Sequence, residues 1–264
     1  MILAAGLVWS LDHIAETTPE LQLATLLLLW LLWVLILWRG LPSPFGEGRR
    51  SRRHYLRETL LSIGPALLAT IDVLILFSLF SPRTVTGYLV LRAGGLAVTR
   101  AMHPVKVAAQ ARLRAAAVNG NTPSFVVNAA RLNLGLLLIG GGICVGILAL
   151  FSVLTPLFPP PFEAEKAVLS WLLLGAAAPA LFGAGPLFLT ITGQRREWAL
   201  MSLTGAFLMA GLAYGLRVQT PLALAQLYAA LQLVTFGTAA AVIGQRRGVW
   251  PGLTALLFRR IRLL

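Results

Sequence analysis

Apolar runs, each closed by charge or by Pro and Gly, recur along the chain near 21–38, 58–80, 86–107, 128–154, 167–192, 197–216 and 222–243. A helix needs about 20 apolar residues to cross the hydrocarbon core of a bilayer. The pattern therefore predicts an all-α, polytopic transmembrane bundle of about seven spans. The opening, Met1 to Leu11, has no basic stretch and no clear small-residue cleavage site before Asp12, so 1–20 reads as an external segment and not as a signal peptide. The first span and a basic loop occupy 21–57, six further helices 58–249, and a tail 250–264. That tail mixes Leu, Phe and Ile with Arg259, Arg260 and Arg262, as an interfacial helix on anionic lipid does.

Composition narrows the class. The chain is 58% hydrophobic and 12% charged, with a mean hydropathy of +0.81, whereas soluble domains carry about a quarter of charged residues. Its 22 basic residues against 9 acidic ones give +13, a balance that in a soluble chain would point to nucleic acid. Here the basic residues lie between the apolar blocks. Arg39 to Arg57, Arg100 to Arg131, Arg195-Arg196 and Arg246 to Arg262 fall on one set of loops, while the opposite loops hold only Arg83, Lys166 and Arg217. Because Lys and Arg stay on the cytoplasmic side, this places the amino terminus outside and the carboxyl terminus in the cytoplasm, and leaves no call for nucleic acid. A weak echo, Gly193-Gln194-Arg195-Arg196 and Gly244-Gln245-Arg246-Arg247, reads as a glycine helix stop followed by a positive-inside clamp. The single cysteine, Cys144, excludes a disulfide framework and a cysteine metal site.

Two charges fall inside spans. Asp72 stands near the middle of its helix, where a carboxylate is costly enough to require a partner, a proton or a function. Arg92, in the next helix, lies about as far after the Ser81-to-Thr86 turn as Asp72 lies before it. An Asp72–Arg92 ion pair is one reading; the other has one or both line a polar cavity and touch an ionic substrate or a coupling proton. At about 100° per residue His103 falls about 20° from Arg92, Lys106 about 40° to the other side and Arg100 about 80° away. One half of the helix is thus basic, which fits an anionic group such as a phosphate held by Arg, or simple snorkelling near the helix end. Arg131, beside Asn128 and Asn133, would extend this lining or act as a plain anchor. The candidate substrate-binding residues are Arg92, Arg100, His103 and Arg131. His13, His54 and His103 have no ligand partners at metal spacing, and no phosphate loop, nucleophile elbow or paired carboxylates occur. No metal, no cofactor and no enzymatic activity are expected.

The basic loop before Leu60-Leu61-Ser62-Ile63-Gly64-Pro65, then Ile71-Asp72, Val85-Thr86-Gly87-Tyr88, the Arg-rich link 106–131 and Gly193-Gln194-Arg195-Arg196 together give an order of spacings and loop charges. It resembles the carboxyl-terminal half of a polysaccharide-lipid flippase, the Wzx-like branch of the multidrug/oligosaccharidyl-lipid/polysaccharide exporter superfamily. The resemblance covers 58–243, with 21–38 standing where such proteins have the last helix of their first half. It implies one lobe of a two-lobe flippase in the bacterial inner membrane, moving undecaprenyl-pyrophosphate-linked oligosaccharide, with Asp72, Arg92 and Arg100 facing the cavity. The first lobe is missing, so the implied partners, besides membrane lipid and lipid-linked glycan, are a second copy or a separate amino-terminal-half chain, unless the sequence is a truncated or mis-started reading of a longer gene. Gln219-Thr220-Pro221-Leu222-Ala223 also replaces the family's Gly-rich ends of the last helix pair. Rival readings are a cation-coupled efflux protein, with Asp72 on the coupling ion, and a non-transporting scaffold for glycan-synthesis enzymes.

Overall fold

The computed structural model describes residues 49–120, 122–154, 162–248 and 250–252. The external segment 1–20, the span expected near 21–38 and the tail from 253 lie outside the described residues. Those described form helices α1 (Arg49–Leu79), α2 (Pro82–Val118), α3 (Thr122–Leu154), α4 (Phe162–Ala176), α5 (Ala178–Leu181), α6 (Gly185–Ile191), α7 (Arg195–Gly215) and α8 (Pro221–Arg247), with no strand among them.

Local chemistry explains the boundaries. Pro82 and Pro221 each open a helix, where a missing N–H costs nothing. The Thr220 hydroxyl caps α8 by accepting from the Ala223 amide at 3.2 Å. At the other end of α8 the stop is Gly248, left-handed at φ 68°. Gly244 of the repeated tetrapeptide lies inside the helix instead, while Gly193, at φ 81°, does break the chain before α7. The two halves of the echo are therefore different structures.

Among the described residues four helices are long and apolar enough to cross a membrane: Glu58–Leu79, Thr122–Val153, Arg195–Gly215 and Pro221–Arg246. The other expected spans differ for physical reasons. α2 carries Arg83, Arg92, Arg100 and Lys106, which dilute its apolar character. The run near 167–192 is cut into α4, α5 and α6 at Ala177 and Phe182–Ala184. The second break is built around Gly183 at φ 74°; the Asn133 side chain accepts from the Ala184 amide at 3.3 Å, supporting backbone that has left the helix.

Packing does not follow chain order. α1 lies most extensively against α7, α2 between α3 and α4, and α8 against α4 and α7; α1 and α2 share few close approaches. Gly64 makes the first of these contacts possible, since a Cβ there would collide with the backbone carbonyl of Ala199. At that end Arg195 pairs with Glu58, joining α7 to α1, and Arg246 with Glu197 at 3.0 Å, joining α8 to α7. Both pairs are partly exposed and contribute little to stability. Overpacking a helix contact costs about 1–3 kcal/mol, so Gly64→Ala is expected to lower the Tm of the detergent-solubilised protein by several degrees. Gly142→Ala on α3, where nothing lies within 4 Å, is expected to leave it unchanged. Differential scanning fluorimetry reads both.

Candidate functional site

Asp72 on α1 is 0% exposed and Arg92 on α2 is 4% exposed. The antiparallel return after Ser81 brings them to one level, and Arg92 Nε donates to Asp72 Oδ2 at 2.7 Å. Arg92 Nη2 donates to the Ala69 carbonyl at 2.9 Å, and the Tyr88 hydroxyl, one turn before Arg92, donates to the same Asp72 oxygen at 3.2 Å. The guanidinium carbon lies 4.5 Å from the ring centroid of Tyr228 on α8, within reach of a cation–π attraction. Asp72 Oδ1 is buried and accepts no hydrogen bond from the described residues.

The neighbouring helices shape this cluster. Gly175 on α4 leaves room for the Tyr228 ring, whose Cε1 would lie 2.6 Å from a Cβ at that position. One turn further along α8, Gln232 Nε2 donates to the Leu68 carbonyl of α1 at 3.1 Å. Two consecutive helices, α1 and α2, and the distant α8 thus converge through polar groups inside an otherwise apolar bundle.

A pocket of about 190 Å³ begins at Arg92 and is walled by Gly175, Trp198, Tyr228, Gln232 and Phe236. Trp198 and Phe236 meet edge to face at 5.5 Å. Two further lining residues, Ala69 and Leu96, are exposed, so the pocket has a mouth on the side of the bundle where α1 and α2 lie apart. A second pocket, of about 510 Å³, is lined by Arg83, Thr84, Tyr88, Glu165, Val168 and Thr220 among others. It lies beyond the charge cluster, toward the start of α2 and α8.

The residues singled out from sequence separate here. Asp72 and Arg92 are joined. Arg100, His103 and Arg131 are all exposed, and none lines either pocket; Lys106 is half-buried. The buried stripe of α2, with Tyr88, Leu91, Arg92, Gly95, Val98 and Met102, is centred to one side of Arg92, which sits on its rim and reaches inward. His103, near the azimuth of Arg92 but three turns on, faces outward. Of the asparagines beside Arg131, Asn128 bonds within its own helix to the Ser124 carbonyl, and Asn133 supports the α5–α6 break.

Sequence reasoning missed Tyr228 and Gln232 and took Tyr88 only as part of a helix opening. The signal was present: 228, 232 and 235 are i, i+4 and i+7, a polar row along one face of an apolar span. Among the described residues no group of three His, Cys, Asp or Glu side chains is placed to hold a metal ion. Compared with known proteins, the chain matches no protein family, no curated protein and no solved structure.

Removing one partner of a buried ion pair strands the other and costs about 3–5 kcal/mol, and groups in contact couple by about 0.5–3 kcal/mol. Asp72→Asn and Arg92→Gln are each expected to lower unfolding stability in micelles sharply. The double substitution should lose clearly less than the sum of the two. Strict additivity in this double-mutant cycle would show that the pair carries no coupling.

Proposed function

We propose that this chain is one lobe of a membrane transporter that carries a lipid-linked, phosphate-bearing glycan across the bilayer. The observation that carries the reading is the pocket lined by Arg92, with the exposed Ala69 and Leu96 giving it a mouth between α1 and α2. A substrate whose tail stays in the bilayer can present its phosphate sideways to a guanidinium there, where a planar fork of donors matches phosphate oxygens. Aromatic walls at Trp198, Tyr228 and Phe236 suit sugar or polyprenyl surface.

In this reading α2 and the broken run α4 to α6 cross the bilayer as well, and the segment near 21–38 completes seven spans, with the amino terminus outside and the carboxyl terminus in the cytoplasm. Broken helices at membrane depth are tolerated where they are buried in protein or line a cavity. Arg100, His103 and Arg131 take part only once a second lobe, another copy or a separate first-half chain, covers the face where they stand. The membrane is the bacterial inner membrane, where undecaprenyl-linked glycans are built.

One observation favours a second reading. Arg92 is already committed to Asp72, the Ala69 carbonyl and the Tyr228 ring, so the cluster would equally serve as a fixed brace in a non-transporting scaffold for glycan-synthesis enzymes.

Mass spectrometry of lipid-linked glycans from cells with and without the gene separates the two. Loss of a flippase lobe is expected to accumulate a complete repeat unit on its carrier, with surface glycan lost. Arg92→Lys, which keeps the charge but not the bidentate fork, is expected to restore protein level and less than half of the surface glycan. Normal surface glycan and no accumulation in the deletion would sink the transport reading.

A further inference from the structure

The two pockets lie on one seam. Along α2 the larger pocket is lined as far as Leu91 and the smaller begins at Arg92; along α4 they end at Val168 and begin at Gly175; along α8 they end at Leu222 and begin at Tyr228. At about 1.5 Å per residue the layer between them on α4 and α8 is only about 10 Å thick. It holds the Asp72–Arg92 pair, the Tyr88 and Tyr228 rings, and Leu172 and Leu224, which are fully buried.

We propose that the α2/α4/α8 seam is a single route through the bundle, and that the Asp72–Arg92 pair is the latch that closes it. The pair, with the Tyr88 hydroxyl on Asp72 and the second Arg92 bond to the Ala69 carbonyl, joins α1 to α2 in this layer, where the two backbones otherwise approach little. Among the described residues the latch also leaves Asp72 Oδ1 without a hydrogen-bond donor, although a buried carboxylate ordinarily fills its acceptor sites. Separating the carboxylate from the guanidinium frees the arginine side chain to leave the layer, and Tyr88 and Tyr228 lose the charges that hold them. The two pockets then become continuous, whatever the cargo.

Cysteine accessibility tests this without any substrate. In a Cys144→Ala background reconstituted in vesicles, Val168→Cys reports the larger pocket and Ala176→Cys the smaller one. A membrane-impermeant methanethiosulfonate is supplied only on the side carrying Arg83 and Glu165. Val168→Cys is expected to react readily and Ala176→Cys slowly. Adding Asp72→Asn should raise the Ala176→Cys rate by about tenfold or more, a shift of about 1.4 kcal/mol in the open population, and leave the Val168→Cys rate unchanged. If Asp72→Asn alone fails to fold, the neutral pair Asp72→Asn with Arg92→Gln replaces it, with the same rise expected. An unchanged Ala176→Cys rate in a folded, monodisperse variant would overturn the latch. Equal reactivity of the two cysteines with the pair intact would overturn the barrier itself.

Discussion

An aspartate and an arginine held out of water by surrounding apolar helices are stable only in each other's company. Each alone would carry a desolvation penalty of several kcal/mol, and their attraction offsets it only when further hydrogen bonds fill the remaining positions. Asp72 and Arg92 meet that condition in part: Tyr88 and the Ala69 carbonyl supply bonds, Tyr228 supplies a π face, and one carboxylate oxygen goes without. Because α1 packs along α7 and α2 along α3 and α4, with little direct contact between α1 and α2, the pair ties two halves of the bundle together. The space left beside it becomes the pocket, and the gap between the helices becomes its mouth.

The hydrophobic pattern carried the helical class and four of the expected spans, those near 58–80, 128–154, 197–216 and 222–243, since apolar length is what the bilayer selects. It also carried the meeting of Asp72 and Arg92, because a short turn between antiparallel helices fixes register. It did not show that the run near 167–192 breaks twice. Averaged hydropathy passes over Pro179, Gly183 and Gly185-Pro186, although these residues are the ordinary punctuation of a helix. Nor did it show that α1 prefers α7 over its sequence neighbour, a choice made by the close backbone approach at Gly64 and Ala199.

The basic stripe on α2 is the instructive case. An angular reading groups Arg92, Arg100 and His103 on one half of the helix, but half a helix is wider than the strip that a partner covers. Arg92 is buried because α1 offers Asp72 at its level; Arg100 and His103 find no such partner among the described residues and stay exposed. The aromatic and amide groups of α8 were legible as a polar row, yet their role depends on α4 presenting Gly175 opposite Tyr228, and no reading of a single helix contains that. The same division holds for the charged residues: Asp72 and Arg92 meet inside the described bundle, while Arg100, His103 and Arg131 stay on its exposed faces.

The central claim is that the Asp72 carboxylate and the Arg92 guanidinium touch inside the bilayer. The chain has two aspartates, Asp12 and Asp72, so an Asp12→Asn protein labelled with carboxyl-13C aspartate and Nε-15N arginine isolates the pair. Rotational-echo solid-state NMR in lipid bilayers should then report one carboxyl carbon within about 4 Å of an arginine Nε, as a direct hydrogen bond requires. Absence of dephasing out to about 6 Å, beyond any direct hydrogen bond, would contradict the account.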